Sequence, residues 1–369
     1  MASYEFYLTS DTGVRLALLT GFTRASFNRV ANDVGTLTME FSDSEAAFDR
    51  KLLTPDRMIQ VWRQPKDGAM SLWRVYFVRK WIYTTEGSAQ RVTIVGYDSN
   101  VILKWRVVAY DAGEDQTKIT DNADDIIKKL SSENLGGSAV AARDWSAYVS
   151  EEADLSDGES VTIEAQWQNV LEAAQSLCEA SREAGTLLWF DIVPDNVTTT
   201  SITFVLRTYT EQPGVDRTVT TGMQTVFDQR RGNMREPYYE EDFTEEATYV
   251  YVGGQGELSD RQMVEAENTS RSGLSVWGRK EVFADASSQT ASGGLTAAAY
   301  AALREGMPKI RFSAMAVDTA GTRFGREWNY GDKVVAKYND LTFNAIITMV
   351  SIDLEGEDET VTARLEYEY

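Results

Sequence analysis

Both ends of this chain are written in period two. Leu37, Met39 and Phe41 alternate with Thr36, Thr38 and Glu40, and at the far end Val361, Ala363, Leu365, Tyr367 and Tyr369 alternate with Thr362, Arg364, Glu366 and Glu368. Successive side chains of a strand point to opposite faces, so this pattern specifies sheets buried on one side. Strands are predicted over Tyr4 to Leu8, Val14 to Leu19, Phe22 to Val30, Gly35 to Phe41, Asp56 to Arg63, Leu72 to Tyr83 and Gln90 to Tyr97. Asp11-Thr12-Gly13 and Pro65-Lys66-Asp67-Gly68 serve as turns, and a helical turn near Ser44 to Leu52 as a plug or cap. Short strands joined by turn chemistry favour a barrel or a sandwich.

The middle of the chain changes period. Thr120 to Leu130 places Ile126, Ile127 and Leu130 at helical spacing behind polar caps, Thr120, Asp121 and Asn122, and Gly136-Gly137 ends it. Ser150 to Ser160 reads as an acidic loop. Thr162 to Ala165 leads into a helix, Gln168 to Glu183, with Val170, Leu171, Ala174, Leu177 and Cys178 as its apolar stripe and Gly185 as its stop. Thr186 to Val193 and Ser201 to Tyr209 follow as strands, joined through Pro194-Asp195-Asn196. The last third returns to strands at Ala247 to Gly253, Gln262 to Ala266, Ser275 to Phe283, Ile310 to Ala316, Lys333 to Tyr338, Leu341 to Ile352 and the terminal run. A helix from Leu295 to Glu305 interrupts them. The expected fold is mainly β with an α+β insert: an N-terminal β-barrel over 1–105, an inserted α/β domain over 106–215, and a second β-barrel with a helix over 216–369.

The side-chain inventory narrows function. There is no histidine, one cysteine, and a formal net charge of −21 from 57 acidic and 36 basic residues. Without imidazole there is no Ser-His-Asp triad, no Cys-His pair and no histidine-bearing zinc site. Any catalysis would have to run on carboxylates, lysine, tyrosine or serine–lysine pairs. Cys178 sits in an apolar helical stripe and reads as a buried thiol, in keeping with cytosolic assembly. Residues 1–7 lack the basic segment and apolar run of a signal peptide, and no stretch approaches the ~20 apolar residues that span a bilayer. The acidic excess disfavours binding to nucleic-acid phosphates and suits a surface that repels DNA. Tryptophans 62, 73, 81, 105, 189, 277 and 328 fall mostly in predicted strands, where core packing is expected.

Three motifs bear on chemistry. Gly253-Gly254-Gln255-Gly256 lacks the Lys-Ser/Thr of a phosphate loop and is followed by Glu257 and Asp260, which would repel phosphate, so it reads as a strand connection. Acidic clusters at Glu236 to Glu246 and Asp353 to Glu359 read as solvated loops. A paired-carboxylate glycosidase site in these clusters, or a calcium site at Asp353, Glu355, Glu357 and Asp358, is the sharper alternative, but nothing selects a carboxylate pair and the spacing does not match the EF-hand loop. Arg230, Arg231 and Arg235, beside Tyr238 and Tyr239, form a candidate interface that would pair with acids of another subunit.

From Tyr249 the chain becomes distinctive. Gly253-Gly254-Gln255-Gly256-Glu257 is followed by Arg261, then Gly278-Arg279-Lys280-Glu281 and Asp285-Ala286. This succession resembles the siphovirus Gp37-like tail proteins, a family similar to the baseplate or tail-tip hub proteins of tailed bacteriophages. Tyr330-Gly331-Asp332-Lys333-Val334 and Leu53-Thr54-Pro55-Asp56-Arg57 also resemble that family, and Gln166 to Leu171 sits where the family carries its inserted domain. The resemblance implies two tail-tube-like β-barrels per chain and a homotrimer whose six barrels form a pseudo-sixfold ring continuing the tail tube. It implies as partners the distal tail protein, the tail tube and tape-measure proteins, and tip or fibre proteins.

The expectation is therefore a structural hub of the virion tail, assembled in the host cytoplasm, with no catalytic residue, cofactor or metal. DNA would pass without specific binding through an acidic lumen, with Glu240, Glu241, Asp353, Glu355, Glu357 and Asp358 as candidate lining. A carbohydrate-binding or adhesin module is the alternative, and a carboxylate hydrolase of cell wall or glycan a third class. The chain ends on its last strand, so host binding or wall cleavage is expected from other proteins.

Overall fold

The computed structural model describes residues 2–42, 50–66, 68–86, 89–109, 117–219, 224–256, 260–287, 292–356 and 358–368. Glu257 and Glu357 lie outside that set, as do Asp67 and most of the predicted Ser44 to Leu52 turn, of which Arg50–Leu52 is a 3-10 segment. The protein is mainly β with an α+β insert. It forms two compact units, one of residues 1–182, 186–237 and 313–366, the other of 183–185, 238–312 and 367–369.

The first unit is organised by a 13-stranded sheet. Ser3–Thr9 lies antiparallel between Arg15–Leu18 and Met58–Gln64. The order continues through Ser71–Glu86, Ala89–Asp98 and Thr36–Ser42 to Phe22–Val30, all antiparallel. The sheet does not stop there. Phe22–Val30 pairs antiparallel with Leu341–Glu355, setting Ser26 opposite Asp353 and Asn28 opposite Ser351. Leu341–Glu355 in turn pairs with Asp358–Glu368 and with Lys333–Tyr338. The path ends through Lys309–Val317 at Met234–Asp242. The two β regions seen in the sequence are thus joined edge to edge by one seam.

Period two explains the burial. Leu37, Met39, Phe41, Ala25, Phe27, Val350, Ile352, Val361, Ala363 and Leu365 are buried, and the intervening residues face outward. Each fully buried aliphatic or aromatic side chain contributes about 1.5–3 kcal/mol. Phe27 packs edge-on against Phe6, Trp73 and Tyr4, with centroids 5.1–5.8 Å away, the geometry that ring quadrupoles favour.

The insert has two small sheets, Thr117–Asn122 with Ser160–Ala165, and Val149–Glu151 with Thr203–Thr210 and Leu188–Asp195. Its helices, Ala123–Asn134 and Val170–Ala184, bury the predicted stripes, including Cys178, in a core shared with Val75, Phe77 and Ile102. Thr120 and Asp121, expected as helix caps, belong instead to a strand. Cross-strand pairing, including Thr120 to Thr162 at 2.7 Å, overrides their capping tendency. Thr162 to Ala165 is likewise strand, and Pro194 and Asp195 extend Leu188–Asp195 rather than turning it.

A buried ionic joint ties insert to sheet. The Arg74 guanidinium donates to Asp98 at 2.8 and 3.0 Å and to Asp191 at 2.6 and 3.0 Å, and Arg29 also donates to Asp191. Around it Asn32 and Asn100 accept from the backbone N–H groups of Phe190 and Ile192. Arg29 stacks 3.9 Å over the Tyr330 ring, so the joint reaches the turn that leads into Lys333–Tyr338 as well.

Most of the two acidic runs expected as loops is strand. Glu236, Glu240, Glu241 and Asp242 lie on Met234–Asp242, whereas Glu245 and Glu246 follow it in a turn; Asp353 and Glu355 end Leu341–Glu355, and Asp358 and Glu359 begin Asp358–Glu368, its antiparallel partner. In the second unit Tyr249–Gly253 lies between Met263–Glu267, antiparallel, and Glu281–Asp285, parallel. Helix Ser292–Glu305 lays Leu295, Ala299 and Leu303 on Val250 and Val252. The predicted strand Ser275 to Phe283 begins only at Glu281; residues before it form a helical turn, Thr269–Ser272, and further turns. Trp277, expected in a core, is therefore 83% exposed, whereas Trp328 is fully buried.

Candidate functional site

The glycine motif is a built turn. Arg261 lies across it, donating to the carbonyls of Gly253 at 3.1 Å and Gly254 at 3.2 Å and to Asp285 at 2.6 Å. A Cβ at Gly253 would meet the Arg261 guanidinium at 2.5 Å, and Gly256, at φ +107°, would bring one 2.4 Å from the Asp260 carbonyl. Gly278 accepts from Thr248 Oγ1 at 2.7 Å, and Arg279 donates to Glu281 and to Tyr251 while stacking 3.4 Å over Tyr249. Gly253, Gly254, Gly256, Arg261, Gly278, Glu281 and Asp285 thus converge on one three-stranded sheet, with Gln255 accepting from the Gln262 N–H at 3.0 Å. The backbone carbonyls here point at an arginine, the reverse of an anion cradle.

Asp332 of the Tyr330-Gly331-Asp332 sequence plays a comparable part in the first unit. Its buried carboxylate pairs with Arg217 and accepts from the N–H groups of Val215 and Asn329, each at 2.8 Å. Gly331, at φ +81°, makes that turn possible.

The predicted interface residues divide between the units. Asp228 caps a 3-10 turn, Gln229–Arg231, and holds Arg230, whose side chain is 71% exposed. Arg231 and Arg235 are exposed and make no ion pair among the described residues. Tyr238 and Tyr239 begin the second unit's share of their strand and, as neighbours, point to opposite faces. Each pairs with the acid two residues on, Glu240 and Glu241, which raises both phenols above their ordinary range. Glu240 also meets Arg311 at 3.6 Å. A channel wall can therefore take Glu240 or Glu241 from one face, not both. Asp353, Glu355 and Asp358 instead share one sheet face, with Arg24 3.8 Å from Asp353.

A cluster in the insert carries no sequence signal, because Asp154 lies about 30 residues from Asp124 and Asp125. Carboxylate oxygens of Asp124, Asp125 and Asp154 lie within 4.8 Å of one another. Burial, then a hydrogen bond with Asp154 and the charge of Asp124, push the Asp125 carboxyl up to about 7. Lys128 sits 2.9 Å from Asp124.

The sequence profile of the siphovirus ReqiPepy6 Gp37-like protein matches residues 6–365. The chain belongs to that family. It is a phage tail protein, and its fold is that of other tail proteins. The 43 kDa tail protein of prophage MuSo2 from Shewanella oneidensis superposes with a TM-score of 0.54 at 10% identity, covering 98% of each chain. A tail protein from Neisseria meningitidis gives 0.51 at 13%, covering 99% of this chain and 97% of that one. A chain of a Francisella PdpA-VgrG complex gives 0.50 at 10%, covering 99% of this chain and 52% of that one. At such identities the likeness is one of fold. A search of curated protein sequences returned no match. Among the described residues no helix is long and apolar enough to cross a membrane.

Proposed function

We propose that the chain is a non-enzymatic hub protein of the tail tip or baseplate, and that three copies close into a ring continuing the tail tube. Residues 1–105 and 216–369 supply two tube-like β-barrel walls per copy, with 106–215 inserted between them, so that threefold repetition gives six walls. The seam between Phe22–Val30 and Leu341–Glu355 carries this reading. It lets one chain present two adjacent walls as one uninterrupted sheet. The outward face across the seam is polar: Ser26, Thr38, Ser351 and Thr362 flank Glu40, Asp353, Glu355 and Glu366, which outnumber Arg24 and Arg364. Carboxylates repel phosphate and hydroxyls add no positive charge to hold it, as a wall around passing DNA requires.

The tube, distal tail and tape-measure proteins are the partners on one side of such a ring, with tip or fibre proteins on the other. Assembly takes place in the host cytoplasm before incorporation into the virion tail. Mass measurement and negative-stain imaging, with and without the tube and distal tail proteins, test the ring. A chain monomeric in both conditions refutes it. Lysine at Glu40, Asp353, Glu355 and Glu366 is expected to create salt-sensitive binding to duplex DNA that the unaltered protein lacks. Strong DNA binding by the unaltered protein refutes the repelling wall.

A further inference from the structure

We propose that Arg106 and Arg143 of the insert form a receptor for a side-chain carboxylate of an acidic protein segment. The two arginines are brought side by side by exchanging backbone partners. Arg106 Nη2 donates to the Arg143 carbonyl at 3.1 Å, and Arg143 Nη2 donates to the Val107 carbonyl at 2.6 Å. The backbone beneath them is fixed. Val107 bridges to Asn169, Val108 N–H donates to the Gln168 carbonyl at 2.8 Å, and Val170 N–H donates to the Arg106 carbonyl at 3.0 Å. Arg143 N–H closes a turn on the Val140 carbonyl at 2.7 Å. The Arg106 guanidinium lies 3.6 Å over the Trp145 ring, which holds its plane. Both side chains are only half-buried, so their heads remain within reach of a ligand.

Neither arginine makes an ion pair among the described residues. In a chain of 57 acidic and 36 basic residues, two adjoining guanidinium groups without a carboxylate call for a reason. Asp144, next in sequence, turns instead to the Ser146 N–H at 2.7 Å. A guanidinium carries several N–H donors, and Arg106 Nε is buried with no acceptor. Burial, then the charge of Arg143, hold Arg106 below its ordinary range, so the pair stands at a cost. A carboxylate accepts from two such forks at once and cancels their repulsion. Val107, 42% exposed, and Val140, 61% exposed, offer apolar contact to the segment that brings it. Duplex DNA fits less well, because two cations release too few counterions to hold it to a chain of −21. A single carboxylate in contact gains the full local attraction, while the distant acids are screened beyond about 8 Å at physiological salt. The site lies within the insert and does not depend on the ring.

The test titrates the whole chain, at about 0.15 M salt, against a dye-labelled tetraglutamate peptide and its glutamine counterpart, read by fluorescence anisotropy. The glutamate peptide alone is expected to bind, and Arg143→Gln, with its fold checked by circular dichroism, to weaken it about tenfold or more. Arg143→Glu sets a carboxylate beside Arg106 within the chain. It is expected to abolish peptide binding and to leave the thermal midpoint no lower. Equal binding of the two peptides, or no binding of either, overturns the receptor. Peptide binding unchanged in Arg143→Gln, with a lowered midpoint in Arg143→Glu, assigns the pair to packing and overturns it too. Duplex DNA binding that Arg143→Gln removes, without peptide binding, assigns the pair to phosphate and overturns the carboxylate. Sedimentation of the protein alone identifies the source. Self-association lost in Arg143→Gln places the carboxylate on a second copy, and peptide binding by a chain that stays single places it on another protein.

Discussion

Asp191→Asn should be among the most destabilising substitutions in the first unit. The buried joint holds two arginines and two aspartates, with Arg74 and Asp98 at 1% and 0% exposure. Burial alone would push the Asp191 carboxyl up, but Arg29 and Arg74 outweigh it and hold the group below its ordinary range. Asparagine keeps the shape and removes the charge, so Arg29 and Arg74 face Asp98 alone. Removing one partner of a buried pair leaves an uncompensated charge and costs about 3–5 kcal/mol. Asparagine still accepts one hydrogen bond, which places the expectation near ~3 kcal/mol. With a urea slope of about 3 kcal/mol/M, the midpoint should fall by roughly 1 M. The control is Asp56→Asn, whose partner Arg79 is also exposed; a surface pair of this kind is worth ~0–1 kcal/mol. Tryptophan fluorescence in urea reads both, since Trp73 lies in the sheet of the joint. A loss below about 1 kcal/mol for Asp191→Asn, or equal losses for the two variants, would refute the view that this joint fixes the insert to the sheet.

Other consequences can be measured alongside. Folded Asp125 keeps its proton to about pH 7, whereas the unfolded chain releases it near 3.9. Between those values the unfolded state binds fewer protons, so stability should fall as pH rises across the window; urea midpoints from pH 4 to 8 should show a slope that Asp125→Asn flattens. Gly256→Ala, with φ +107° and a Cβ 2.4 Å from a carbonyl, should weaken the second unit by about 1–3 kcal/mol, read by amide exchange of Tyr249–Gly253. Gly356→Ala, at φ +61° with open space around it, should cost only ~1 kcal/mol. Asp332→Ala strands Arg217 and two N–H groups and should cost about 3 kcal/mol in thermal or urea melts.

Local pattern was readable where one face is buried and the other wet. The bounds of Phe22 to Val30 and Lys333 to Tyr338 are readable because turn residues flank them, Gly21 before the first and Asp332 and Asn339 around the second, and the Val170–Cys178 stripe because helical spacing admits one burial face. The glycine motif was readable as structural because acids follow it. Long-range pairing was not readable: nothing near Ser26 announces Asp353. The ionic joint was equally silent, since Arg74, Asp98 and Asp191 come from separate strands and look like surface charges one at a time. Thr120 to Asn122 reads as a helix start because Thr, Asp and Asn are good caps, and only the partner strand of Thr117–Asn122 decides otherwise. Trp277 was misplaced because Val276-Trp277 has strand composition, while Gly273 and Gly278 impose turns.

The missed strand Met234–Asp242 shows why such failures are physical. It ends the path of the large sheet, where unpaired backbone groups invite a further strand. A sequence that protects such an edge must break the rules by which strands are recognised. Pro237 removes a donor, Glu236 takes a positive φ of 50°, and Glu240, Glu241 and Asp242 load the edge with charge. Those features made it read as a solvated loop. The opposite edge, Arg15–Leu18, is protected differently: it is four residues long, and the insert reaches it, with Arg15 N–H donating to the Thr199 carbonyl at 3.0 Å. One edge is covered within the chain and the other is charged. That charge opposes indiscriminate strand addition.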